Sequence, residues 1–261
     1  MEKILTMFTP TGRVVTGSFT DLVKRAETKS VIRLGVREFE HYRAGVHYLY
    51  GCGLFGGDNR FHRVLWDDEP MALGNRWHAF EYFDGGNYGS FFSIGNEFFW
   101  IGADGVAKHI GTFTFTKWRA GKLGAYICMD KNFILVDRHG KITLLKEHNY
   151  DEWEVGPDGP VLQNGDKFSG INIVGVEVDL GEHPELSDWF AGPSGVFYRR
   201  GLEFSALDFM DLLETPMGVY DNTGYMAAPF GICLFNSAAR FEENAFQKEN
   251  MQLVVLNNGH C

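Results

Sequence analysis

Asp58, His62 and Asp68 fall within eleven residues of one another. If this segment is extended, His62 and Asp68 share a face, because strand side chains alternate with a period of two. A carboxylate beside an imidazole can act as a general base or supply metal ligands, so a hydrolase or metal-dependent enzyme is one alternative. Against it, Asp67-Asp68-Glu69-Pro70 has the composition of a turn. His41 and His47 also share an extended face, with no third ligand type recurring nearby.

Gly51-Cys52-Gly53-Leu54-Phe55-Gly56 matches GxGxxG. A dinucleotide site would need a helix next, whose N-terminus holds the pyrophosphate. Asp58 to Trp66 reads instead as a turn and a strand, so a glycine-rich loop is expected. GxSxG, HExxH and P-loop motifs are absent from the sequence. Cys52, Cys128, Cys233 and Cys261 form no CxxC pair, and the first three sit among apolar residues, which predicts buried free thiols. No cofactor or metal is expected. Trp66, Trp77, Tyr82, Phe83 and Tyr88, with Asn75, Asp84 and Asn87, could stack on a sugar and bond its hydroxyls, so glycan binding or structural assembly is a further alternative to core packing.

Charge gives the leading expectation. The formal net charge is −10, and residues 150–222 contribute fifteen acids against Lys167, Arg199 and Arg200, a net of −12, while the remainder is +2. A single-sign surface steers an oppositely charged partner. The sequence therefore predicts an acidic, non-enzymatic module that docks a basic protein through Asp151, Glu152, Glu154, Asp158, Glu177, Asp179, Glu182, Glu185, Asp188, Glu203, Asp208, Asp211 and Glu214. An inhibitor covering the nucleic-acid-binding surface of its partner would fit, in the manner of phage-encoded inhibitors, an analogy resting on charge alone. The basic stretches Lys24-Arg25 to Lys29 and Lys117 to Lys122 are short, which argues against direct nucleic-acid binding.

The elements that must position these residues are mostly strands. Thirty-nine aromatic residues and 32 glycines favour sheets joined by tight turns, and the expected fold is β-rich α+β with an antiparallel hairpin meander. A 35-residue shift aligns Ser90–Ile110 with Ala125–Leu145 without a gap, each copy reading strand, turn, strand, turn at Gly105 or Gly140, strand. Stacked hairpins or propeller-like blades would produce this, although two or three copies cannot close a ring; no fourth copy is expected at Lys167.

Three short helices are predicted, at Ser18 to Ala26 from a capping box, from Ser205 to before Pro216, and from Ser237 to Asn250. In the second, Asp208, Asp211 and Glu214 would share a flank. Met251 to Leu256 reads as a buried closing strand, and Asn149 to Gly170 as a long loop or a boundary between a 1–148 meander portion and a 149–261 acidic mixed portion. The longest nearly apolar stretch, Met226 to Phe235, is half of what a membrane span needs, and no signal sequence precedes Pro10, so a cytoplasmic protein is expected.

Overall fold

The computed structural model describes residues 4–27, 29–37, 41–44, 49–52, 62–64, 71–72, 82–87, 89–102, 104–184, 186, 188–208, 213–222, 224–228, 230–237 and 249–256. Five four-stranded antiparallel sheets follow one another along the chain. Blade 1 holds β4 (His41–Ala44), β5 (Leu49–Cys52), β6 (His62–Val64) and β7 (Met71–Ala72). Blade 2 holds β8 (Tyr82–Gly85), β9 (Gly89–Ile94), β10 (Glu97–Gly102) and β11 (Ala107–Thr112). Blade 3 holds β12 (Lys117–Ala120), β13 (Ala125–Met129), β14 (Asn132–Val136) and β15 (Ile142–Glu147). Blade 4 holds β16 (Glu152–Val155), β17 (Pro160–Asn164), β18 (Lys167–Ile171) and β19 (Glu177–Glu182). Blade 5 holds β20 (Trp189–Gly192), β21 (Gly195–Arg200), β22 (Glu203–Asp208) and β23 (Leu213–Val219).

A six-stranded closing sheet joins the two ends of the chain. It combines β1 (Leu5–Phe8), β2 (Val14–Gly17) and β3 (Val31–Arg37) with β24 (Gly224–Ala228), β25 (Gly231–Ser237) and β26 (Glu249–Val255), in the order β2-β1-β3-β26-β25-β24. The first strands of the sheets touch in a closed circuit, β24 to β4, β8, β12, β16, β20 and back to β24. This is a β-propeller, and the continuous meander expected from the sequence is replaced by separate sheets around an axis.

The pattern of each blade follows from its place in the ring. Middle strands are covered by neighbouring blades on both faces, and so read as apolar runs: Ala125-Tyr126-Ile127-Cys128 and Phe133-Ile134-Leu135-Val136 are buried throughout. Outer strands meet solvent, and β15 and β19 are mostly exposed. Phe98–Ile101 and Phe133–Val136 are equivalent strands, and Gly105 and Gly140 lie in turns with φ of +64° and +84°. The repeat runs further than expected. The four strands of blade 4 begin 35 residues after those of blade 3, so the unit at Lys167 is another copy.

Two expectations are corrected. Asn149 to Gly170 is not a long loop: β16 and β17 pair from Glu152↔Gln163 to Val155↔Pro160, and Gly156 to Gly159 is only their turn. Ser205 to Asp208 is not helical, because β22 is held between β21 and β23, and these long-range ladders outweigh a local capping signal. Asp208 pairs with Leu213 and Leu207 with Glu214 on adjacent strands, so no helix flank gathers these acids. Of the third predicted helix, residues 238–248 lie outside the described residues, and its ends are strand, with Ser237 paired to Glu249 and Asn236 to Asn250.

The first helix forms as α1 (Phe19–Arg25), capped by Ser18, whose hydroxyl oxygen accepts the Asp21 N–H at 3.2 Å. It buries Leu22 and nearby Ala26 against Leu5 and Met7 of the closing sheet. Cys128 and Cys233 are buried free thiols, as expected. The boundary expected at 148/149 falls between β15 and β16, where one blade gives way to the next.

Candidate functional site

Blades 2 to 5 and the closing sheet each turn from the innermost to the second strand on the same face of the ring. The turns are written Gly86-Asn87-Tyr88-Gly89, Gly121-Lys122-Leu123-Gly124, Gly156-Pro157-Asp158-Gly159, Gly192-Pro193-Ser194-Gly195 and, in the closing sheet, Ala228-Pro229-Phe230-Gly231. The second glycine is required by a close approach. A methyl group on Gly89, Gly124 or Gly159 would lie 2.3, 2.3 or 2.5 Å from a carbonyl oxygen at the end of the third strand of its blade, that of Ile101 (the last residue but one), Val136 or Ile171.

The first four of these turns form the mouth of a cavity of about 620 Å³ on the axis. Two residues before each turn, successive innermost strands supply Asp84, Arg119, Glu154, Phe190 and Met226, all of which line it. Among the described residues the funnel is therefore two-sided, with a charged sector on blades 2 to 4 and an apolar sector on blade 5 and the closing sheet. Tyr225 extends the apolar side, its ring 4.8 Å from that of Phe190.

The charged sector is neutralised from within. Arg119 Nε donates to Glu154 Oε2 at 2.9 Å and Arg119 Nη2 to Glu154 Oε1 at 3.2 Å, a bidentate pair across two blades. Lys117 Nζ reaches the same Oε1 at 2.9 Å, and Arg119 Nη1 donates to the Tyr82 hydroxyl at 2.8 Å. Burial opposes the charge on Arg119, but Glu154 and the other acidic groups around it outweigh burial and hold the guanidinium pKa above its ordinary value. Asp84 is buried and accepts from the backbone N–H of Gly85 and Ala120, both at 2.9 Å, which ties blade 2 to blade 3. At the rim, Asp158 is exposed; burial, and then the Asp158 charge, push the Tyr126 hydroxyl up to about 12. The charges of the site are fixed in advance by these contacts, an arrangement that can orient a polar ligand.

A second cavity of about 500 Å³ opens between blades 4 and 5 and shares Gly156, Pro157 and Asp158 with the funnel.

The residues singled out from sequence are dispersed. Asp58 and Asp68 lie outside the described residues, and His62 is placed only as a backbone partner of Ala72 and Gly51. Among the described residues no three His, Cys, Asp or Glu converge on a metal-sized site. Of the GxGxxG stretch, Gly51 and Cys52 are in β5 and the rest lies outside the described residues. Of the aromatic platform, Tyr82 lines the funnel while Phe83 is buried core.

The acids divide between the two faces of the ring. Asp158, Glu177, Asp208 and Glu214 stand at the face bearing the glycine turns, and Asp151, Glu152, Glu182, Asp188 and Glu203 at the opposite ends of their strands. Glu154 is inside the funnel, Asp179 lies midway along an outer strand, and Glu185 and Asp211 are outside the described residues. Several are engaged within the chain: Glu177 with His148 at 3.1 Å, Glu182 with Lys167 and Glu214 with Arg200, both at 3.6 Å, and Asp188 accepting from Tyr225 at 2.8 Å. Arg119, Phe190, Met226 and Tyr225 escaped sequence reasoning, although the Gly-x-x-Gly spacing marks the first two.

No family model matches the chain, and no curated protein matches it. Solved structures do. The chain is similar to a putative TolB from Agrobacterium tumefaciens at 11% identity and a TM-score of 0.50, covering 98% of this chain and 100% of that one. It is also similar to a chain of a Nidogen/Laminin complex at 10% identity and a TM-score of 0.50, covering 81% of this chain and 91% of the other. At such identities the likeness is one of fold.

Proposed function

We propose that this propeller is a protein-binding module that takes a segment of a partner protein at its axial mouth. The observation that carries the reading is the two-sided funnel, in which Asp84, Arg119 and Glu154 are held by one another and by backbone groups while Phe190, Met226 and Tyr225 offer an apolar wall. Preorganised polar groups beside apolar surface bind a chain segment with little reordering cost. That a propeller chain of similar fold was solved in a Nidogen/Laminin complex supports a protein as the partner. The acid-rich stretch favours a basic partner, and the finer version, an inhibitor that covers a nucleic-acid-binding surface, would present Asp158 and Asp208 from the turn face.

The test is selection of a random-peptide display library on the purified protein, with a counter-screen on Pro193→Trp, which places an indole in the funnel wall. Enriched peptides should bind the variant at least about tenfold more weakly, the loss of one well-placed contact. No enrichment over bare support, or peptides indifferent to Pro193→Trp, would overturn the reading.

A further inference from the structure

The cavity between blades 4 and 5 differs from the funnel in its chemistry. Its floor is aliphatic, with Val161, Ile171, Val196 and Leu207 buried and Leu180 and Leu256 half-buried. The charged residues that line it are Asp158 and Asp208, with no Lys, Arg or His among its described lining residues. The Gly156-Pro157-Asp158 turn is the wall it shares with the funnel, so a chain leaving the axial mouth over that turn enters this groove directly.

Resting on the protein-binding reading above, we infer that the groove between blades 4 and 5 is the specificity pocket for a partner segment that carries a bulky aliphatic side chain flanked by Lys or Arg. The aliphatic group removes the floor from water, and the cations meet carboxylates at the rim. An acidic segment would set like charges side by side there, which opposes binding. The charge complementarity selects a basic-aliphatic peptide over a neutral or acidic one of equal apolarity.

Four fluorescein-labelled peptides of equal length separate the possibilities: aliphatic with Lys, aliphatic with Glu, aliphatic and uncharged, and Lys with Ser in place of the aliphatic residues. Fluorescence polarisation is read on the wild type, on Thr215→Trp, which fills the groove from its edge strand, on Asp208→Lys, and on Pro193→Trp in the funnel. Circular dichroism melting confirms that each variant is folded. The aliphatic-Lys peptide should bind at least tenfold more tightly than the other three and lose at least tenfold on Thr215→Trp and on Asp208→Lys. Its affinity should fall as salt rises, because exposed charges are screened. Preference for the acidic or uncharged peptide, or an aliphatic-Lys peptide that Pro193→Trp weakens and both groove variants leave unchanged, overturns the groove assignment while the funnel reading stands. Binding of none of the four also overturns it, whereas the funnel reading fails only with the unbiased library.

Discussion

The ring of Phe133 meets the ring of Trp153 edge to face across the boundary of blades 3 and 4, with centroids 5.0 Å apart and planes at 78°. The geometry recurs at three other boundaries: Phe98 with Trp118 at 4.6 Å between blades 2 and 3, Phe168 with Trp189 at 5.3 Å between blades 4 and 5, and Phe204 with Tyr225 at 5.2 Å between blade 5 and the closing sheet, all between 74° and 77°. Each phenylalanine is the second residue of its blade's third strand, and each partner the first or second of the next innermost strand. A 35- or 36-residue period thus carries an aromatic latch at each boundary from blade 2 round to the closing sheet.

Phe133→Ala should cost about 3–5 kcal/mol, the usual loss for a buried ring. A double-mutant cycle of Phe133→Leu with Trp153→Leu should show about 0.5–1.5 kcal/mol of coupling beyond buried area, read by urea denaturation. Additive effects would mean that the rings pack without a specific latch.

Gly124→Ala should be far more damaging than Gly165→Ala. The added methyl at Gly124 meets the Val136 carbonyl oxygen at 2.3 Å, backbone that cannot rotate away, whereas at Gly165, with φ +60°, nothing lies within 4 Å. The expected costs are about 3 kcal/mol or more from overpacking and about 1–2 kcal/mol from the left-handed backbone. Equal melting temperatures for the two variants would contradict the close approach.

Asp137 makes one turn of the ring sensitive to acid. Its Oδ1 accepts from the N–H of His139 at 2.8 Å and of Lys141 at 2.9 Å, and Asn172, 35 residues on, does the same for Val174 and Val176. Burial works against the Asp137 charge, but the two N–H groups outweigh it and hold the carboxyl below its ordinary value. A folded-state value lowered in this way gives stability that is present above the ordinary carboxylate value and is lost as pH falls through and below it. Asp137→Asn should copy the Asn172 turn, keep stability near pH 7 and flatten the loss between about pH 5 and pH 3. Denaturant midpoints across that range, unchanged in slope, would count against it.

Glu154→Gln should loosen the contact between blades 3 and 4 by about 1–2 kcal/mol, since both cations it pairs with are only partly exposed. Arg119→Lys should also destabilise, by about 1 kcal/mol, because an ammonium cannot replace the bidentate fork. Thermal melts of the two variants provide the measurement, and a fully stable Arg119→Lys protein would show that charge alone suffices there.

The repeat was legible where its turns are marked twice, by Gly95 and Gly105 and by Asp130 and Gly140. Its continuation was hidden because Gly156-Pro157-Asp158-Gly159-Pro160 has the composition of a loop, although it is a four-residue turn between ladder-paired strands. Gly165 and Gly175 repeat the positive φ of Gly95 and Gly105 at the same period, and Trp118 and Trp153 do so for the latch. The false helix at Ser205 arose because a hydroxyl followed by an acid three residues later also suits the end of a strand. The funnel was illegible for a different reason: Asp84, Arg119 and Glu154 converge only when strands 35 residues apart stand side by side around an axis, and no local pattern encodes that ring.

The seam between β3 and β26 sets the order in which this molecule can be completed. Arg33 and Gln252 are register partners 219 residues apart, and β3 presents an unpaired edge until residues 249–255 have been synthesised. This pairing is the most non-local strand pairing among the described residues, the kind of contact that slows folding. A force that parts these two strands strips β1 to β3 from the closing sheet while blades 2 to 5 and β24 to β26 stay fastened in a row by the aromatic latches, an array on which the same seam can re-form.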